Sequence, residues 1–231
     1  MGRIEDLNRF YELLGRLEQR VGGRRRLGDP DCRVGLPKRG VYFFFEPGEY
    51  REDGVTPRVV RVGTHAVSEG SKTTLWNRLS QHRGRLGGAH AGGGNHRGSI
   101  FRLHVGTAFR GLGSAAAAVQ WGASHRPTDE QVLAAEHQLE ALVSEYIRTM
   151  PFLWVEVDDP PGKGSHRKVI EANAIGLLSN WGRPAIDLPS KGWLGHSADR
   201  EAVRRSGLWN VDHVTEPYDP AFLQLLEGYI R

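Results

Sequence analysis

Cysteine is nearly absent. Cys32 is the only one in 231 residues, which excludes an intrachain disulfide and any cysteine-rich zinc ligand set. No apolar run approaches membrane-spanning length, and the amino-terminal segment is charged throughout, unlike a secretory signal. The expected compartment is therefore the cytoplasm. Lysine is scarce beside arginine, no internal repeat divides the chain, and no linker splits it convincingly. What remains is ordinary for a globular protein: 39% hydrophobic and 25% charged residues, in a chain long enough to bury a substantial core. The formal charge of +4 leans mildly toward a polyanionic partner, and arginine is the better bidentate phosphate ligand. Bulk charge alone identifies no partner.

In residues 4–21, Ile4, Leu7, Phe10 or Tyr11, Leu14, Leu17 and Val21 recur at helical spacing. Such an amphipathic helix must dock on the core or on a second subunit. Gly22 and Gly23 break it, and Arg24, Arg25 and Arg26 follow as a charge cluster read as solvated, with phosphate contact as the alternative. Residues 28–38 form a connecting loop. Two runs rich in β-branched and aromatic residues come next, 39–45 and 58–64. Pro47 and Gly48 close the first and Pro57 opens the second, predicting a hairpin with a polar loop over 47–56.

A helix is predicted over 73–83, with Leu75, Leu79 and Leu86 as its apolar stripe. Residues 84–98 are glycine-rich with His82, His90 and His96 nearby; the irregular spacing favours a solvated or polyanion-facing loop over a zinc site. Residues 99–113 read as helix or strand, the recurrence of Phe101, Val105 and Phe109 at every fourth residue favouring helix, and the alanine run 115–118 is another helical candidate. Thr128 and Gln131 have capping-box spacing ahead of a long helix whose face is Val132, Ala135, Leu139, Leu142, Val143 and Ile147. Residues 152–157 read as a third strand, 168–179 as a helix, 209–214 as a short strand and 220–230 as a last helix. The order describes an α+β domain with a small, mainly antiparallel three-stranded sheet flanked by helices.

Several polar residues stand at positions this pattern turns toward the sheet. Tyr42 lies mid-strand, with Val41 and Phe43 on the opposite face. His82 falls inside the stripe of the 73–83 helix, with Arg78 one turn earlier at its edge. Glu171 borders the apolar face made by Ile170, Ala174, Leu177, Leu178 and Trp181. Taken singly, each has a plainer reading: a core tyrosine, a satisfied core histidine, an exposed glutamate near a helix start. As a set they supply a phenol, a guanidinium, an imidazole and a carboxylate, the inventory of a hydrolytic site.

Gly40-Val41-Tyr42, then Arg61-Val62-Gly63, then Arg78 with His82, then Glu171, resembles the GIY-YIG nuclease family. The resemblance lies in the ordered set and covers residues 39–182, with an enlarged insertion at about 85–150. It implies a nuclease-like domain between an amino-terminal helix with a basic linker (1–38) and an extension packed on the same domain (183–231). It further implies a metal-dependent hydrolase acting on double-stranded DNA. Tyr42 would be general base or nucleophile activator, Arg78 and Arg61 a phosphate clamp, His82 a relay, and Glu171 the ligand of one Mg²⁺ or Mn²⁺.

The sequence departs from the family pattern twice. The second tyrosine position is Arg61, with His65 nearby as a substitute base. The family's asparagine near the end of the last helix has Asn180 as its nearest counterpart, whose other reading is a helix terminator. A type II restriction-like endonuclease, with a homodimer to cut both strands, is the expected role. The alternatives are a repair or mobile-element nuclease, a catalytically silent DNA-binding module, and an interaction domain in which the set does not converge.

Overall fold

The computed structural model describes residues 2–84, 93–113, 120–162 and 164–231. A sheet of order β1-β4-β2-β3 forms its centre, with every pairing antiparallel. Helix α1 (Arg3–Val21) precedes β1 (Arg25–Arg26), β2 (Gly40–Tyr50) and β3 (Pro57–Gly63). Then come α2 (Leu75–Arg83), α3 (Ile100–Gly111), α4 (Glu130–Thr149), β4 (Pro151–Glu156), α5 (His166–Leu178), α6 (Glu201–Ser206) and α7 (Phe222–Ile230). The α+β class stands, but the sheet has four strands rather than three. The added strand is two residues of the arginine cluster, Arg25 paired with Phe152 and Arg26 with Pro151, too short to show a periodicity.

Alternation along β2 builds two cores. Val41, Phe43 and Phe45 meet Val59, Val62, Leu153 and Val155 under α1, α5 and α7. Tyr42 and Phe44 meet Val60, Phe152 and Trp154 on the other face, under α2, α3, α4 and the indoles of Trp193 and Trp209. Pro47 and Gly48 do not end β2. The strand runs to Tyr50 through a register irregularity between Phe45 and Tyr50 that absorbs the proline's missing donor, leaving residues 51–56 as the turn.

The helix over 99–113 is present as α3, with Ser99 as its N-cap. The N-cap of α4 is Asp129 rather than Thr128, because its carboxylate accepts the N–H groups of both Gln131 and Val132. Leu142 is exposed on α4, whereas Glu136 and Glu140 are buried. Residues 209–214 are not a strand. The Trp209 N–H donates to the Val60 carbonyl at 2.7 Å, and the Asn210 amide bonds both the N–H and the carbonyl of Val62. A side-chain amide thus takes the place of a paired backbone along the β3 edge.

His96 is buried in a 3-10 turn, stacked on Trp121 at 3.9 Å with Nδ1 on Glu140, so this end of the glycine-rich segment is packed rather than solvated. His90, Leu86 and the alanine run 115–118 lie outside the described residues. Among the described residues no helix is long and apolar enough to cross a membrane.

Candidate active site

The two glycines of the motif are explained by close approach. A β-carbon at Gly40 would stand 2.4 Å from the Val155 carbonyl oxygen, so the β2–β4 pairing admits nothing larger there. Gly63 is the cross-strand partner of Tyr42, and a β-carbon there would stand 2.2 Å from the phenol oxygen. The tyrosine ring lies on the bare backbone of β3.

Arg61 reaches the same face through a β-bulge: Phe44 pairs with Arg61 and Phe45 with Val59, leaving Val60 as the extra residue. Its guanidinium packs over Phe101 at 4.7 Å, and Nη1 donates to the Trp209 carbonyl at 2.5 Å. Nε is buried with no partner among the described residues. Burial lowers the Arg61 pKa from its ordinary value, the Tyr42 phenol opposes that, and Arg78 adds to it.

Helix α2 begins at the N-cap Thr74, whose hydroxyl accepts the Asn77 N–H while the Asn77 side chain accepts the Thr74 N–H. Leu75, Leu79 and His82 are its buried face. His82 Nε2 lies 2.8 Å from the Tyr42 hydroxyl and Nδ1 lies 2.8 Å from the Ser99 hydroxyl. Neither Tyr42 nor His82 is exposed at all. Burial drives the His82 pKa well below its ordinary value, and Arg61, Arg78 and Arg102 push it the same way, so the imidazole is neutral. Arg78 is half-buried, its Nη1 on Gln81 Oε1 at 3.1 Å.

Glu171 comes from the opposite layer. It is half-buried on α5, and Oε1 accepts the Thr64 N–H at 3.0 Å, just past the end of β3. Thr64 is itself fixed by its hydroxyl on the Gly40 carbonyl. Burial raises the Glu171 pKa, while Arg61, His213, the Thr64 N–H and Arg78 oppose the rise. Tyr42 rests on Gly63 and Glu171 accepts the N–H of the next residue, Thr64, so the two approach the end of β3 from opposite layers, while Arg61 and Arg78 act electrostatically on both His82 and Glu171.

His65 and Asn180 are placed differently. The His65 ring is buried, Nε2 lies 3.3 Å from the Lys38 carbonyl, and burial with Arg167 nearby pulls its pKa down to about 4. The Asn180 amide accepts from Arg3 and from the Ile186 N–H and donates to the Ile186 carbonyl, tying the start of α1 to the loop after α5. Two neighbours escaped the sequence reading. Ser99 holds the far side of His82, and His213, in a left-handed conformation (φ 63°), acts electrostatically on Glu171. The serine had only its helix-cap position as a signal, and the histidine had none.

Among the described residues no three histidine, cysteine or acidic side chains cluster as a metal cage. The donor chemistry at Glu171 is a single hard carboxylate, which fits a cation that keeps most of its ligands as water. No curated protein and no solved structure matches the chain. The family model for the GIY-YIG domain matches residues 1–231 in full, and the chain belongs to that family.

Proposed function

We propose that this protein is a metal-dependent DNA endonuclease that hydrolyses phosphodiester bonds. The observation that carries the reading is the 2.8 Å hydrogen bond between Tyr42 and His82, beside Arg61 and Arg78, which act electrostatically on His82 and also on Glu171. A neutral imidazole offers the phenol an acceptor when Tyr42 is protonated and a donor when it is not, so the pair suits a phenol that activates a water nucleophile. Arg78, half-buried at the rim, clamps a phosphoryl oxygen, and Arg61 adds fixed positive charge beneath it. Glu171 would hold one Mg²⁺ or Mn²⁺, which when bound supplies positive charge at the phosphate.

The substrate in this reading is double-stranded DNA. The helices before, within and after the sheet support a restriction-like role in which a homodimer brings two sites to the two strands. A repair or mobile-element role uses the same chemistry and differs in substrate.

The test is incubation of purified protein with mixed-sequence duplex DNA, with Mg²⁺ or with EDTA, beside Tyr42→Phe and Glu171→Ala. Discrete fragments that need Mg²⁺ and vanish in both variants are the expected result. Undiminished cutting by both variants would overturn the assignment of the site. A second reading, a catalytically silent DNA-binding module, is favoured by arginine at the second tyrosine position and by the complete burial of Tyr42. It predicts salt-sensitive DNA binding with no nicking under any metal condition.

A further inference from the structure

Both ring nitrogens of His82 are engaged inside the protein. Nε2 meets Tyr42 and Nδ1 meets the Ser99 hydroxyl, each at 2.8 Å. Ser99 is 1% exposed and stands at the N-cap of α3, where its hydroxyl also accepts the Arg102 N–H at 3.2 Å. Its own N–H donates to the His96 carbonyl at 3.1 Å, and Arg102 Nη1 donates to the His82 carbonyl at 2.9 Å. The hydroxyl is therefore held from both sides at a fixed point beside the imidazole.

We propose that Ser99 is the positioning residue of the Tyr42–His82 pair, holding the ring so that Nε2 faces the phenol and complementing whichever ring nitrogen carries the proton. This rests on the nuclease reading for its consequence in catalysis, but not for its geometry. The remaining ring contacts of His82, with Phe44 and Phe101, are edge-on and apolar, with centroids at 6.3 and 5.5 Å. Such contacts fix the plane of an imidazole without telling nitrogen from carbon. A rotation of half a turn would put a carbon against Tyr42, and the Ser99 bond opposes it.

A hydroxyl suits this task better than a carbonyl or carboxylate, because it both donates and accepts. With Tyr42 protonated, the phenol donates to Nε2 and Nδ1–H donates to Ser99. With the proton on the other ring nitrogen, Nε2–H donates to the phenol oxygen and the Ser99 hydroxyl donates to Nδ1, the number of protons being unchanged. The charged and titratable groups facing the ring are Arg61 from β3, Arg78 on α2 itself, Arg102 from α3, Tyr42 from β2, and Glu140 from α4 through its ion pair with Arg102.

Long-range ¹H–¹⁵N spectra of histidine-labelled protein test the geometry without requiring cleavage. The wild type and Ser99→Thr are expected to show one fixed neutral tautomer at His82. Ser99→Gly, which keeps most of the capping preference but loses the hydroxyl, is expected to show averaged tautomers. On DNA, Ser99→Gly is expected to lower kcat by about 30-fold with KM unchanged, and Ser99→Thr to restore it. Should the glycine variant not fold, Ser99→Ala, which offers Nδ1 no partner at a modest capping cost, takes its place. A hydroxyl-free variant with the wild-type tautomer and unchanged kcat would overturn the proposal. Protein that shows the tautomer change but never cuts DNA would instead remove the nuclease reading and leave the positioning role intact.

Discussion

The phenol oxygen of Tyr42 rests on the backbone of Gly63, where an added β-carbon would come within 2.2 Å of it. The ring cannot yield, because it is fully buried and packed edge-on against Phe44 and His82, with centroids at 5.5 and 5.6 Å. Gly63→Ala is therefore expected to cost about 1–3 kcal/mol of stability by overpacking. It should also misplace the phenol enough to lower cleavage by about 100-fold. Thermal melting and a nicking assay read the two effects. Gly15→Ala is the control: nothing lies within 4 Å of its β-carbon, and alanine in mid-helix should add about 0.5–1 kcal/mol. A Gly63→Ala protein that melts and cuts like the wild type would refute the contact.

Arg61 separates stability from activity. Its charge is buried, its Nε has no partner among the described residues, and no carboxylate forms an ion pair with it there. A buried cation so placed contributes little to folding, and an apolar residue of similar shape is tolerated. Arg61→Met is expected to unfold at the wild-type denaturant concentration or above it, while cleavage falls by about 100-fold or more through loss of charge beside the phosphate. Equal activity in the variant would mean that Arg61 only supports the Trp209 carbonyl and the Phe101 ring.

The parts of the site legible in the sequence were those that local periodicity controls. Alternation alone puts Tyr42 on the face opposite Val41 and Phe43, and helical spacing alone puts His82 in the stripe of Leu75 and Leu79. The parts that depended on tertiary partners were not legible. A strand of two arginines has no period, and Ser99 meets His82 only because Arg102 and Glu140 pin α3 beside α2 and α4. The tail misled for a related reason. Trp209 and Val214 look like a strand, but Asn210 covers the sheet edge with its side chain instead of its backbone.

Three buried histidines set a direction for the pH dependence of stability. Burial is the largest cause in each case, lowering His65 and His104 to about 4 and His82 well below its ordinary value. A depressed histidine binds its proton more weakly in the folded state, so its contribution is complete above about pH 6.5 and is lost as pH falls. Near pH 5 these groups would give the unfolded chain an excess of about three protons. The raised carboxyls of Glu46 and Glu171 act in the opposite sense, because the folded state holds their protons to higher pH. The net expectation is greater stability at pH 7 than at pH 5 in urea unfolding. His104 has neither ring nitrogen satisfied among the described residues, so His104→Leu should flatten this dependence by about one proton. An unchanged slope in the variant would refute the assignment to His104.

Asn180 separates a structural asparagine from a chemical one. Its amide makes three hydrogen bonds of 3.0 to 3.1 Å, to Arg3 Nη2, the Ile186 N–H and the Ile186 carbonyl. Arg3 also donates to the carbonyls of Leu177 and Ser179, so the asparagine belongs to a lattice closing the end of α5 against the start of α1. Removing the amide leaves the Ile186 groups and one arginine donor to find water. Asn180→Ala is therefore expected to lose about 1–3 kcal/mol of stability. Cleavage should stay at the wild-type rate wherever both proteins are folded, because no hydrogen bond connects Asn180 to Tyr42, His82 or Glu171. Denaturant melts and single-turnover nicking at a temperature well below both transitions decide it. A variant of wild-type stability that no longer cuts would return Asn180 to the chemistry of the site.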